Sequence, residues 1–187
     1  MPGETANGDG WRVDWSQGAC RIAVIDGLGH GPQAAAAADC AQQTLKAHPQ
    51  PGPEEALRLC HEALAGTRGA AISIALLDPA VRRLTYAGIG NVEARLVQEG
   101  HERRLIAYRG IVGKIMRTIH PFDYALSGPW LLILYTDGIR SRFDIEATLD
   151  PDARSLEAGA NRILSQWARA GDDATVVIVT ALPGNPA

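Results

Sequence analysis

The chain has 187 residues, 46% hydrophobic and 21% charged, enough to bury one substantial core without a second domain. A formal charge of −3, with basic runs no longer than Arg82-Arg83 or Arg103-Arg104, offers no electrostatic footprint for nucleic acid. The longest apolar run, Trp130 to Tyr135, is far too short to cross a bilayer, and the polar opening Met-Pro-Gly-Glu-Thr carries no targeting pattern. A soluble, cytoplasmic, monomeric domain over residues 1–182 is expected, with a loose tail at 183–187. Three widely spaced cysteines, Cys20, Cys40 and Cys60, fit neither a disulfide framework nor a paired metal motif, so buried structural thiols are expected.

Trp11, Val13 and Trp15 alternate with Arg12 and Asp14, the pattern of a half-buried strand, and Ser16-Gln17-Gly18 turns it into a second strand over Ala19 to Ile25. The stretch Asp26-Gly-Leu-Gly-His30-Gly-Pro32 has the punctuation of a strand end, a tight turn and a helix start. An alanine-rich helix is predicted over Pro32 to Ala47 and a second over Glu54 to Ala65, after a proline cluster that ends the first. The period then changes. Ala70 to Leu77, Arg83 to Gly88, Val92 to Gln98 and Arg103 to Ala107 read as four strands of an antiparallel meander. Arg109 to Gly128 carries no clear period and is expected to cover or border a cleft. Its Gly110-Ile-Val-Gly113-Lys114 lacks the glycine and hydroxyl that a Walker loop needs at positions 108 and 115, so a flexible bordering loop is expected instead. Trp130 to Tyr135 reads as a strand buried on both faces, Ser155 to Ala170 as a last helix and Ala174 to Ala181 as a closing strand. All four tryptophans fall in these elements and are expected in the core. His48, His61, His101 and His120 have no ligand spacing and are expected on the surface or in loops. Strand runs flanked by helices, without βαβ alternation, predict sheet layers covered by helices.

Acids recur at the ends of the apolar strands. Asp26 follows Ile22 to Ile25, Asp137 follows Trp130 to Tyr135, Asp172-Asp173 precede Ala174 to Val179, and Asp9 precedes the first strand. If these ends converge, their mutual repulsion raises carboxyl pKa values unless cations are present. Oxygen-only donors select Mg²⁺ or Mn²⁺ over zinc, and more than three carboxylates is more than one such ion usually needs. Two ions about 3.5–4 Å apart bind a phosphate and activate a water between them for in-line attack.

Four segments in this order, Asp26-Gly-Leu-Gly-His-Gly31, Tyr86-Ala-Gly-Ile-Gly-Asn-Val-Glu93, Tyr135-Thr-Asp-Gly138 and Asp172-Asp-Ala-Thr175, resemble the motifs of metal-dependent PPM phosphatases, the protein phosphatase 2C-like class. The resemblance spans about Gly8 to Val179. It is strongest to the bacterial branch containing the SpoIIE and RsbU phosphatases and the short stand-alone RsbX. It implies an α+β fold of four layers, α/β/β/α, with two antiparallel sheets packed face to face. It implies a protein-serine/threonine phosphatase using two divalent cations, Mn²⁺ or Mg²⁺, without a covalent intermediate. Asp26 would bridge both metals, the Gly27 carbonyl and Asp9 would add ligands, Asp137 and Asp172 would hold the first metal, and Asp173 would support them from outside. For the RsbX branch the implied substrates are phosphorylated STAS-domain proteins of the stressosome.

The chain also departs from the class. Glu4 stands where an arginine often grips the substrate phosphate, leaving Arg12, Arg21 or Arg68 as possible helpers, and Asn91 stands where larger relatives place an aspartate for a third metal. The class histidine lies two residues after the bridging acid, where this chain has Leu28. His30 lies four after it, so a turn-stabilising hydrogen bond is expected of His30 rather than acid chemistry. A GHKL-type nucleotide box fails because position 28 is not glycine. The remaining alternative is a pseudophosphatase that keeps the fold as a partner-binding module, against which the intact Asp9, Asp26, Asp137 and Asp172 argue.

Overall fold

The computed structural model describes residues 6–145 and 156–181. Nine strands form two antiparallel sheets among the described residues. The first sheet has the order β1-β2-β3-β4-β7, from β1 (Asp9–Ser16), β2 (Ala19–Gly27), β3 (Ala70–Asp78), β4 (Arg83–Ile89) and β7 (Phe122–Ala125). The second has the order β6-β5-β8-β9, from β5 (Glu93–Gln98), β6 (His101–Arg104), β8 (Trp130–Tyr135) and β9 (Val176–Thr180).

Three helices complete the layers. Helices α1 (Pro32–Ala47) and α2 (Pro53–Ala63) lie on the outer face of the first sheet, burying Ala37, Ala41, Leu45 and Leu57 against Ile25, Ile72 and Ile74. Ile22, Val24, Leu84, Tyr86, Leu132 and Leu134 fill the space between the sheets. Helix α3 (Leu156–Trp167) covers the second sheet through Ile163, packed with Ile133, Tyr135 and Phe143. The α/β/β/α sandwich is the architecture the sequence leads one to expect. The residue pattern dictates it: consecutive residues of β2 and β3 point to opposite faces, and both faces are apolar because one meets helices and the other meets a sheet. No helix among the described residues is long and apolar enough to cross a membrane.

Several local expectations need correction. The expected meander divides between the sheets: β3 and β4 belong to the first, β5 and β6 to the second. The chain crosses at Gly90-Asn91-Val92, where Val92 is buried and its carbonyl accepts a hydrogen bond from Ser73 Oγ at 3.0 Å. Strand β6 begins at His101 rather than Arg103, because the two-residue turn Glu99-Gly100, both at positive φ, pairs Gln98 directly with His101. Strand β7 has no counterpart in the sequence reading; four residues on a sheet edge are too few to establish a period. The loop at Gly110–Lys114 is tied down rather than loose: Ala70 and Val112 exchange backbone hydrogen bonds of 3.0 and 2.9 Å, and Gly113 N donates to His61 Nδ1 at 2.8 Å. Cys20 and Cys60 are buried as expected, whereas Cys40 is half-buried.

The tryptophans divide as well. Trp130 and Trp167 pack partly buried against the cores, but Trp11 is 57% and Trp15 69% exposed. Both stand on the face of β1 that continues the inter-sheet surface of β2, and at this margin the second sheet does not cover them. Arg21 is only 2% exposed: its guanidinium pairs with Asp14 at 3.0 Å and donates to the carbonyls of Leu45 and His48 at 2.7 Å, closing the C-terminal end of α1. Glu4 and the expected tail at 183–187 lie outside the described residues.

Candidate metal centre

The two sheets present the same end at β1's start, β2's end, β8's end and the approach to β9. Asp9 and Asp26 are direct partners in the β1–β2 register. Thr136, fully buried after β8, donates its hydroxyl to Asp9 Oδ2 at 2.6 Å, accepts the Thr175 amide at 2.9 Å and donates its own amide to the Thr175 carbonyl at 3.0 Å. One side chain thereby fastens both sheets together beside the acids. Asn91 Nδ2 donates to Asp137 Oδ2 at 2.5 Å, orienting that carboxylate. Asp173 Oδ2 accepts the Gly8 amide at 2.6 Å, which ties the loop before β9 to the start of β1.

Two glycines permit this convergence. A Cβ at Gly27 would lie 2.2 Å from the Ala34 carbonyl oxygen and 2.9 Å from that of Gly8. At Gly138 it would lie 1.8 Å from the Asp173 carbonyl oxygen. Backbone fills both places, so a side chain cannot simply swing aside, and the strand ends could not close with alanine at either position.

Closure has an electrostatic consequence. Burial, followed by the charges of Asp9, Asp137 and Asp172, pushes the Asp26 carboxyl up to about 8. Burial also lifts Asp9 to about 6, aided by Asp173 and Asp137 and opposed by hydrogen bonds from the Thr136 and Thr175 hydroxyls. Acids that resist ionisation because they are buried, and buried beside one another, are chemically matched to a hard cation, and every donor here is oxygen. Among the described residues, no group of three or more His, Cys, Asp or Glu side chains is gathered into a ready ligand cage. The fit to a cation is therefore one of charge and donor type.

The surroundings add basic and polar groups. Leu28, Gly29 and His30 form an exposed turn after Asp26. The Arg68 guanidinium lies over this turn, with Nη1 2.7 Å from where a Gly29 Cβ would stand. Arg12 and Arg21 are committed to Asp14 instead and do not serve the acids. A cleft of about 310 Å³ opens beside Asp137, lined in part by Asn91, Glu93, Arg104 and Ala107. Sequence reading gave no role to Thr136, although it lies inside the Tyr135-Thr-Asp-Gly138 segment. Its 127-residue separation from Asp9 is invisible without the sheet order.

The layered sandwich is that of PP2C-like domains. A chain solved in work on the bacterial stressosome, described as a modular system adapted to control secondary messenger signalling, superposes with a TM-score of 0.87 at 29% identity, covering 96% of this chain and 93% of that one. RsbX in complex with magnesium gives 0.81 at 23% identity, with 95% and 88% covered. The PP2C domain of the cell-fate determinant SpoIIE from Bacillus subtilis, solved with a fragment of its regulatory domain, gives 0.75 at 15% identity, with 96% and 60% covered. No curated protein matches the chain. The sequence profile of the SpoIIE family, Stage II sporulation protein E, matches residues 16–182, and the chain belongs to that family of PPM-type protein-serine/threonine phosphatases.

The raised carboxyls predict how the protein responds to pH in chelator. Asp26 binds its proton more tightly folded than unfolded, so between its ordinary 3.8 and about 8 the folded state carries the extra proton. Stability therefore falls as pH rises across that window. Thermal melts in EDTA should show a lower Tm at pH 8 than at pH 5, and Asp26→Asn should raise the pH 8 value, by about 2–4 °C for each kcal/mol of repulsion removed. A melting temperature unaffected by Asp26→Asn at pH 8 would contradict the assignment.

Proposed function

We propose that the chain hydrolyses phosphoserine and phosphothreonine on a regulatory protein, using two divalent cations, Mn²⁺ or Mg²⁺, held by Asp9, Asp26, Asp137, Asp172 and the Gly27 carbonyl. The observation that carries this reading is the convergence of four strand-end acids, Asp26 facing Asp9 across the β1–β2 ladder with Asp137 and Asp172 close enough to raise its carboxyl. Four acids alone would repel a phosphate dianion, so the site suits this substrate only with its charge reversed. When bound, such cations supply charge stabilisation and a nucleophile usable at neutral pH.

The chain's own residues position and admit. Thr136 and Asn91 each hold one oxygen of a carboxylate, which limits how Asp9 and Asp137 can turn. Arg68 is the cation over the Asp26 turn and would grip the incoming phosphate, taking over the work of the arginine that Glu4 replaces. The cleft beside Asp137 gives the residues flanking the phosphorylated side chain a place to lie. The likeness to the stressosome chain supports a phosphorylated STAS-domain protein as substrate.

Hydrolysis of p-nitrophenyl phosphate should depend on Mn²⁺ or Mg²⁺ and disappear with EDTA or Asp26→Asn. In the same assay, a phosphorylated STAS-domain protein should be a better substrate than unrelated phosphopeptides. Full activity in chelator would falsify the metal reading, and a preference for unrelated phosphopeptides would remove the STAS assignment alone. Arg68→Ala should raise the KM for p-nitrophenyl phosphate about tenfold or more, the loss of one charge-assisted hydrogen bond, with a smaller effect on kcat. An unchanged KM would release Arg68 from this role.

A further inference from the structure

Among the described residues, strand β1 is a free sheet edge bearing an apolar face that no element covers. It runs eight residues in unbroken register with β2 without proline or bulge, and its charged Arg12 and Asp14 lie on the helix side, paired with each other. The face that continues the inter-sheet surface of β2 carries Trp11, Val13 and Trp15, which are 57%, 39% and 69% exposed.

The direction of its free hydrogen-bonding groups follows from the ladder. Gly27 N donates to Gly8 O at 2.9 Å, which makes Gly8 and Gly27 a hydrogen-bonded pair. Alternation along an antiparallel ladder then turns the backbone groups of Asp9, Trp11, Val13 and Trp15 away from β2. The Asp9 amide conforms, donating to Asn7 Oδ1 at 2.9 Å rather than to β2. The same residues that expose large side chains thus expose the backbone edge.

The sequence Trp11-Arg12-Val13-Asp14-Trp15 is its own complement when read against a reversed copy. We propose that β1 pairs antiparallel with β1 of a second copy of this chain, about a two-fold axis through Val13, joining the two first sheets edge to edge. In this register the outward backbone groups of Val13 meet those of Val13 in the second copy, and those of Trp11 meet those of Trp15. Each Trp11 side chain lies beside a Trp15 on one face. On the other face each Arg12 stands opposite an Asp14, so the Arg12–Asp14 pairs within each chain join into a ring of alternating charge. A parallel pairing or a one-residue slip loses this complementarity. The exposed parts of four tryptophans, 57% of each Trp11 and 69% of each Trp15, add apolar area to the paired backbone edges. A dimer of this kind replaces the monomer expected from the sequence. It is independent of the phosphatase reading, because the interface lies along β1 away from the acids except at Asp9.

Sedimentation equilibrium of the intact chain tests the proposal. The wild-type protein should dimerise, and Val13→Lys, which sets two like charges on the axis, should raise the dimer dissociation constant at least about tenfold while p-nitrophenyl phosphate hydrolysis is unchanged. Val13→Cys should give a covalent dimer on mild oxidation, since Cα atoms of a hydrogen-bonded pair lie about 5.5 Å apart, within disulfide reach. Trp11→Cys, which faces Trp15, should not. A wild-type chain that stays monomeric, or a dimer untouched by Val13→Lys and not linked through Val13→Cys, overturns the proposal. A monomer whose tryptophan emission shifts only when a phosphorylated STAS-domain protein is added would assign the strip to that partner, and also overturns it.

Discussion

Asp26 is hard to ionise where the fold puts it, and most of the site follows from that. It ends β2, faces Asp9 across the ladder and has Asp137 and Asp172 arriving from the other sheet. Water cannot screen the group fully because the strand ends close around it. A fold that gathered such acids for stability alone would be working against itself. The arrangement makes physical sense as the anionic half of a site whose other half is cationic.

Closing the strand ends is the work of residues that are not themselves acidic. Thr136 reaches Asp9 of the other sheet with its hydroxyl while two hydrogen bonds hold it to Thr175 of its own, and Gly27 and Gly138 let backbone pass where no side chain fits. Farther out, Arg95 is buried with Tyr135 and Phe143. Its Nε donates to the Tyr135 hydroxyl at 2.9 Å and its Nη1 to the Phe143 carbonyl at 3.0 Å, fastening the segment that follows Asp137. Two internal arginines thus serve opposite ends of the sandwich: Arg95 steadies the acidic end, and Arg21 closes α1 on the side away from it. Neither is available to hold a substrate phosphate, whereas Arg68 is exposed over the Asp26 turn.

The sequence disclosed the layers because the layers are periodic. The run Trp130 to Tyr135 reads as doubly buried, and Pro32 through Ala47 reads as helix, since composition alone dictates each. The strand-end acids were legible for a similar reason: a carboxylate at the end of an apolar run is conspicuous whatever the sheet order. Sheet membership was not. Nothing local to Gly90-Asn91-Val92 says that the next strand joins the other sheet, so a continuous meander was the simpler reading. Trp11 and Trp15 misled for a related reason. Alternation places them on one face, but whether that face is covered depends on where the second sheet stops. Thr136 and Arg95 were missed because their partners are distant in sequence and their residue types are ordinary.

If the convergent acids are a two-cation site, the bound cations can be counted. Titration of the chelator-stripped chain with Mn²⁺, following free ion by electron paramagnetic resonance, should reach two bound ions per chain and lose tight binding in Asp26→Asn. No binding, or binding that Asp26→Asn leaves intact, would contradict it.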